Sequence, residues 1–466
     1  MEIYNTLSRT IETLEPIKPP KVTVYSCGPT VYDYPHIGNW FTFIRYDILI
    51  RALKTAGYKP VWVMNITDVG HLVSDADEGQ DKLEKGAERE GKNAWQVAEK
   101  YTQYFIKGLD QLNFSKPDEL PRATEHVQEQ IDLIKDLEAK GFTYLTSDGV
   151  YYDTSKFADY GQMARLDIKN LRAGARIIHN PEKKNITDFA LWKFSPKDSH
   201  RDMEWESPWG KGFPGWHIEC SAISMKYLGV TLDIHAGGID HIPVHHTNEI
   251  AQSEAATGKP FAHYWVHMNH ITTEATKISK SLGNTITLED IDKKKIPLEA
   301  LRLLVLESHY RTQAEFSWEA LQAAGHRLKG LEAMADLRWQ TSDTGKFGAE
   351  AVTKVLESIK KALLNDLNTP IVLANLSTAG KMLESNGLNT AAKADFDNFL
   401  KWLDSALGLQ LSDRHNITTE QKELISERGQ ARRTKDWAGA DILRQKLEKQ
   451  GIGLRDNAQG VTWYRL

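Results

Sequence analysis

The chain has two cysteines, Cys27 within Tyr25-Ser26-Cys27-Gly28-Pro29-Thr30 and Cys220 at the end of Gly215-Trp216-His217-Ile218-Glu219-Cys220. Two thiols give no basis for a disulfide framework and point instead to a metal or structural role. His245 and Glu249 stand four residues apart, so a helix would present both on one face. A thiolate pair completed by an imidazole and a carboxylate suits a zinc ion that keeps room for a further ligand. His246, next in sequence, is an alternative imidazole. Each residue alone has a plainer reading, the cysteine as a small buried hydrophobe and the histidine as a hydrogen-bonded core residue.

Two further stretches could handle phosphate. Pro35-His36-Ile37-Gly38-Asn39 opens a predicted helix, and helix N-termini offer free N–H groups and a positive dipole end. Gly38 lets a nucleotide approach the backbone, and His36 can donate to phosphate oxygens as charge develops. The loop Thr276-Lys277-Ile278-Ser279-Lys280-Ser281-Leu282-Gly283-Asn284 carries two lysines three apart, suited to neutralising a triphosphate. Taken singly, the first stretch reads as a helix cap and the second as a solvated polar loop.

The elements that must position these residues follow a β–loop–α–β order. Residues 21–26 (KVTVYS) read as a strand, residues 40–58 have helical apolar spacing closed by Gly57, and residues 61–67 (VWVMNIT) read as a second strand. That order opens a nucleotide-binding α/β domain. Residues 75–140 are charged and helical in pattern, and about 141–200 looks like an insertion with short strands such as GVYYDT. The α/β pattern returns with GWHIECSAISMKYLG, TLDIHAGGID and YWVHMNHI, and beyond Leu298 the chain is almost wholly helical. A Ser-, Asn- and Thr-rich linker near 409–419 sets off the last segment, where Arg and Lys interleave with Trp437 and Trp463. Such a mixture suits unpaired RNA bases; the plain alternative is a small amphipathic helical hairpin.

At 466 residues, 41% hydrophobic and 26% charged, the chain has the size and composition of a multidomain globular protein. A formal net charge of −5 excludes an overall basic protein but not a local positive patch. Without a long uncharged apolar run, no transmembrane helix and no membrane partner are expected, and the N-terminal MEIYNTLSRT lacks a signal-peptide core, which points to the cytosol.

The paired stretches HIGN and KISKS resemble the two signatures of class I aminoacyl-tRNA synthetases, with Asn39 and Ile278 as the departures from HIGH and KMSKS. YSCGPTVYDYPHIGN, RAGAR, DFALWK, SPWGKGFPGWHIECSA, HHTNEIAQSEA, KISKSLGN, HYRTQAEFSW and NDLNTP further resemble, in that order, landmarks of cysteinyl-tRNA synthetases across nearly the whole chain. The resemblance implies an α/β Rossmann-like catalytic domain in two halves (1–110 and 200–270) around an insertion (111–199). A KISKS and stem-contact region (271–325), a helical bundle (326–410) and a C-terminal anticodon-binding domain (411–466) would follow. It selects His245 over His246, making Cys27, Cys220, His245 and Glu249 the ligands of one Zn2+. It implies activation of L-cysteine by Mg2+-ATP and transfer to tRNA-Cys by a monomer. His36, Asn39, Lys277 and Lys280 would be catalytic, and would bind ATP with Gly38, His217, Gly237 and Asp240. Gly28, Thr30, Thr67 and Trp216 would border cysteine, while Arg432, Trp437, Asp441 and Asp456 would read the anticodon.

Some positions depart from the family pattern: Val69-Gly70-His71 where IDDK is common, Phe213 in place of Arg, and Ile239, Val244, Thr247 and Glu274 to Thr276. Two rival readings are a cysteine:sugar-amine ligase of the mycothiol type, against which residues 411–466 argue, and a silent paralogue that binds RNA or senses cysteine. The intact signatures argue against the latter.

Overall fold

The computed structural model describes residues 1–70, 81–166, 180–196, 201–273, 276–277, 285–457 and 460–466. The chain opens with a hairpin of β1 (Glu2–Asn5) and β2 (Thr10–Thr13), which sequence patterning did not single out. β3 (Lys21–Ser26) follows, and all but its first residue are buried, as a strand of a sheet covered on both faces requires. α1 spans Ile37–Thr55, three residues earlier than the apolar spacing predicts. The earlier start comes from its cap: the His36 N–H donates to Asn39 Oδ1 at 3.0 Å. Fourteen of its nineteen residues are buried, charged ones included. Asp47 accepts from Arg51 Nε at 2.8 Å and from the Ser115 N–H at 2.7 Å, while Arg45 Nη1 donates to Asn269 O at 2.6 Å.

β4 (Lys59–Met64) ends three residues before the predicted strand. From Asn65 the chain leaves the sheet to pair elsewhere: the Ile66 N–H donates to Pro121 O and the Thr67 N–H to Pro29 O. α2 (Lys82–Glu90), α3 (Ala94–Gln111) and α4 (Val127–Ala139) fill the charged helical region. β5 (Thr143–Thr146), β6 (Gly149–Tyr152), β7 (Phe189–Phe194) and β8 (Gly212–Pro214) make an antiparallel sheet in that order, whose last strand lies beyond residue 199. α5 (Trp216–Leu228), β9 (Leu232–Gly238), α6 (His245–Thr257) and β10 (Ala262–Met268) complete the α/β layer. β11 (Ile271–Thr273) and β12 (Thr276–Lys277) pair antiparallel.

The main sheet is wholly parallel, in the order β10-β9-β3-β4. β3 and β4 are joined through α1 on one side, and β9 flanks β3 on the other. The strand order therefore reverses at β3, and ligands of such sheets bind at the carboxyl ends beside that switch point. Cys27 is the first residue past β3.

This layer lies in one compact unit, Met1–Ile291 with Tyr310–Glu315; the other is Asp292–His309 with Phe316–Leu466. The second contains α7 (Leu298–Leu306), α8 (Trp318–Asp336), α9 (Ala349–Leu363), α10 (Thr369–Asn386), α11 (Lys393–Leu407), α12 (Thr419–Arg433) and α13 (Trp437–Lys449). It ends in a hairpin of β13 (Ile452–Asn457) and β14 (Gly460–Arg465), an addition to the helical pair that the sequence suggests. Among the described residues no helix is long and apolar enough to cross a membrane.

Candidate metal centre and nucleotide cleft

α6 is polar in sequence yet buried over most of its length, so its polar groups must find partners inside the protein. Gln252 Nε2 donates to His217 O at 2.5 Å and to Ser221 Oγ at 2.7 Å, and Ser253 Oγ donates to Ser221 Oγ at 2.8 Å. These contacts bind α6 to α5. They bring Cys220, from α5, to His245 and Glu249 in the first two turns of α6. Cys27 reaches the same place from the end of β3, its N–H donating to Ala236 O at 3.2 Å.

Ligand atoms of Cys27, Cys220, His245 and Glu249 all lie within 4.8 Å of one another, and all four residues are buried. A second set meets the same limit, Cys27 and Glu249 with His235 and His246. His246 Nε2 is 3.3 Å from Cys27 Sγ, and His235 Nε2 is 2.5 Å from Glu249 Oε2. His245 Nε2 lies 2.6 Å from the other Glu249 oxygen. His235 carries no sequence signal beyond its place in a buried strand, where a histidine reads as a core residue.

Protonation is uneven across this cluster. Burial works to raise the Cys27 thiol, yet its contact with Cys220 and the imidazoles of His246 and His241 hold it well below the usual thiol range. Burial and the neighbouring Cys27 push Cys220 well above that range. Glu249 resists burial through His235 and His245 and stays below the usual carboxylate range. Burial disfavours charge on His245, but Glu249 carries it up to about 10, whereas burial takes His246 down to about 4. Two thiols and a carboxylate gathered this closely, away from water, form an anionic donor set that fits a soft divalent cation.

The residues expected around the cluster are distributed as follows. Trp216 stacks on His245 with ring centroids 4.4 Å apart, and His217 Nδ1 is 2.9 Å from His245 Nδ1. The Gly28 N–H donates to Asn65 Oδ1 at 2.9 Å, and a Cβ at Gly28 would lie 1.7 Å from Asn65 O. Thr30 bridges to Thr67, whose hydroxyl donates to Glu219 Oε1 at 2.5 Å. Glu219 has no exposed surface and escapes sequence reading because nothing separates it from an ordinary helix glutamate. At Gly38 a Cβ would come within 2.9 Å of the His36 ring, and at Gly237 within 2.2 Å of the His246 ring. Asp240 is exposed just past β9. The backbone of Lys277 lies in β12; Lys280, the rest of the loop through Asn284, Glu274, His71 and the RAGAR stretch fall outside the described residues.

Two of the departures from the family pattern meet at one buried ion pair. Arg201 contacts Asp81, donates from Nη2 to Gly70 O at 2.6 Å, and sets its guanidinium 3.5 Å from the Phe213 ring centroid. A Cβ at position 70 would lie 1.9 Å from Asp81 Oδ2. Gly70 therefore makes room for a carboxylate brought from position 81, and Phe213 supplies a face for the arginine.

Residues 13–326 match the family described as tRNA synthetases class I (C) catalytic domain. The cysteine--tRNA ligase 1 of Burkholderia lata is 45% identical over 99% of this chain and 96% of its own length. The cysteine--tRNA ligase of Treponema denticola is 42% identical with both chains covered completely. This chain belongs to the cysteine--tRNA ligase family. Other family members resemble it across wide distances, the cysteine--tRNA ligase of Thermococcus gammatolerans being 38% identical over all of this chain and 99% of its own. The fold extends beyond the cysteine--tRNA ligases. A Mycobacterium tuberculosis methionyl-tRNA synthetase in complex with methionyl-adenylate aligns with a TM-score of 0.62 at 14% identity, over 84% of this chain and 92% of its own. A leucyl-tRNA synthetase complex from Agrobacterium radiobacter gives the same TM-score at 12% identity, over 86% and 85%. As a member of its family, the chain is an aminoacyl-tRNA synthetase.

In the second unit, the expected anticodon residues divide into two kinds. Trp437, at the start of α13, is 59% exposed, and Asp441 one turn on is exposed. Asp456, in contrast, is held by Arg428 through two contacts at 3.0 and 2.9 Å and also by Arg432. Arg428, then Arg432, keep its carboxyl below the usual range. Arg428 is 5% exposed; a lone arginine on a charged helix gave no sequence signal.

Proposed function

We propose that this chain activates L-cysteine with Mg2+-ATP and transfers it to the terminal ribose hydroxyl of tRNA-Cys, with zinc at Cys27, Cys220, His245 and Glu249. The observation that carries the reading is the extent of the likeness to cysteine--tRNA ligases: it covers 99% of the chain, the C-terminal segment included. A ligase built only on the catalytic domain would not need residues 411–466.

In the first step a cysteine carboxylate oxygen bonds to the α-phosphorus as the bond to the β-phosphate oxygen breaks, releasing pyrophosphate. In the second step the ribose hydroxyl oxygen attacks the acyl carbon, AMP leaves with the electrons of the acyl–oxygen bond, and the hydroxyl proton passes to the departing phosphate. Positioning and charge stabilisation dominate such chemistry. His36 and Asn39, at the N-terminal end of α1, would meet the phosphates, and Lys277 and Lys280 would offset charge on the departing pyrophosphate. Gly38, His217, Gly237 and Asp240 would border the nucleotide. Gly28, Thr30, Thr67 and Trp216 would line the amino-acid pocket, with Glu219 fixing the Thr67 hydroxyl. When bound, zinc supplies a soft Lewis acid that prefers a thiolate to an alcohol, and so separates cysteine from serine where shape alone cannot. Arg432, Trp437, Asp441 and Asp456 would meet the anticodon, the exposed indole by stacking and the Asp456 cluster as one polar unit.

The test is charging of a tRNA-Cys transcript with labelled cysteine, serine being the control. Cysteine-specific charging is expected. Pyrophosphate exchange without charging would favour a sugar-amine ligase, and no activation at all would sink the catalytic reading.

A further inference from the structure

Helix α8 ends on Asp336, a carboxylate with no exposed surface. Two arginines from the far end of the chain close on it. Arg414 brings Nε and Nη2 to 3.2 and 2.9 Å from its two oxygens, and Arg465 brings Nη1 to 3.0 and 3.2 Å. Arg414 also contacts Glu332 at 3.0 Å, and Arg465 Nη2 donates to His415 O. Immediately after Asp336, Arg338 donates to Ser412 O at 2.9 Å and to Arg414 O. Gln340 pairs with the backbone of Trp463 in both directions, accepting from its N–H at 2.8 Å and donating to its carbonyl at 3.0 Å. Trp339 packs against the core formed by Ile417, Leu424, Leu447, Ile452, Leu454 and Trp463.

Four residues within the five of 336–340 thus hold both the entry of the C-terminal segment (412–415) and its exit (463–465). A buried carboxylate is costly unless charge and hydrogen bonds compensate it; here two guanidiniums do so with several N–H contacts. In the hairpin, Arg465 pairs with Ile452 and Val461 with Asp456. Asp336 therefore grips the base of a strand pair whose opposite end carries Asp456, about 13 Å along at the rise of a strand.

We propose that Asp336 is a positioning residue for the tRNA step: through Arg414 and Arg465 it fixes the C-terminal hairpin to the end of α8, so that the tRNA-facing residues are presented in one pose. This rests on the reading that residues 411–466 meet tRNA. A segment held in its binding pose does not have to be ordered when the ligand arrives, and its apparent affinity is undiminished by competing poses.

The test is Asp336→Asn in the full-length chain, which keeps the shape and removes the charge. If the competent pose falls to about a tenth of the population, KM for the tRNA transcript rises about tenfold. The kcat at saturating tRNA and cysteine-dependent pyrophosphate exchange should stay as in the parent. Amide hydrogen exchange should quicken across Ile452–Asn457 and Gly460–Arg465, and stay unchanged across Trp216–Leu228. Arg465→Lys guards against a folding failure, because Arg414 still covers Asp336; it should give a smaller shift in the same two readouts. An unchanged KM for tRNA or unchanged hairpin exchange in both variants overturns the proposal, as does a parallel loss of pyrophosphate exchange. If the parent chain itself fails to charge tRNA, the functional reading falls and takes the proposal with it. An unchanged KM with a charging-competent parent overturns the proposal alone.

Discussion

Each of the two units buries a cluster of charge, and the two clusters are balanced in different ways. Around Asp336 the protein supplies its own counter-charge, since Arg414 and Arg465 match the carboxylate. Around Cys27 it supplies mainly acceptors: two thiols and a carboxylate gather where Glu249 carries one imidazole, His245, up to about 10, while burial takes another, His246, down to about 4. A self-balanced cluster fastens one part of a chain to another. An acceptor-rich one is completed from outside, and the identity of what completes it becomes part of the function. The buried ion pair can therefore be read as architecture and the thiol cluster as recognition.

The largest test of that contrast is Cys220→Ala. It should empty the metal site and lower cysteine-dependent pyrophosphate exchange by more than about a hundredfold, the upper range for loss of an outer-shell partner. Metal analysis and exchange kinetics read this directly; full metal content in the variant would refute Cys220 as a ligand and favour the set of Cys27, His235, His246 and Glu249. Next, Lys280→Ala should lower exchange by about a hundredfold to a thousandfold, as loss of one charge-stabilising donor does, with metal content unchanged. Metal loss in that variant would blur the line between chemistry and recognition. Trp437→Ala should raise KM for tRNA about tenfold, the lower end of a stacked base's contribution, and leave pyrophosphate exchange alone. No change in KM would remove the indole from the RNA surface.

An effect of another kind, on stability and not on activity, concerns Asp68, which belongs to neither cluster. Burial outweighs its two bonds from Thr124 and pushes its carboxyl up to about 6. An acid raised on folding carries a penalty that is absent below its unfolded value and complete above its folded one. Between about pH 4 and 6 the folded state thus holds more protons, and Asp68 removes at most about 3 kcal/mol as pH rises. Asp68→Asn should gain on the parent over that window in denaturant titrations; a pH-independent difference would contradict the burial argument.

Legibility in the sequence follows the same division. Cys27 and Cys220 are rare residues in distinctive surroundings, and Glu249 has helical spacing from His245, so a thiol–imidazole–carboxylate set was legible from the residues, with the choice of His245 over His246 coming from the family resemblance. β3 matches its predicted limits because alternation and β-branching agree over a strand buried at every residue after Lys21. β4 stops short of Thr67 because a tertiary demand, the pairing of Ile66 and Thr67 with other loops, overrides the local pattern. His235, Glu219 and Arg428 were not legible, since each is an ordinary residue made special only by what folding brings beside it. The same holds for Asp336, whose partners lie 78 and 129 positions away. The final hairpin was hidden within a segment whose charge suggested helices throughout, although Ile452, Leu454 and Trp463 show the buried face that a strand pair needs.

The side chain of Gln340 has one more effect. A two-stranded hairpin leaves each strand with an outward row of amide and carbonyl groups that another molecule's strand could match. At Trp463 both groups are already taken by the Gln340 amide, so a foreign strand docking along β14 would have to displace it before it could pair. One glutamine thus works against aggregation at the edge of the last strand, and Gln340→Ala should first show itself as a greater tendency of the protein to self-associate on storage.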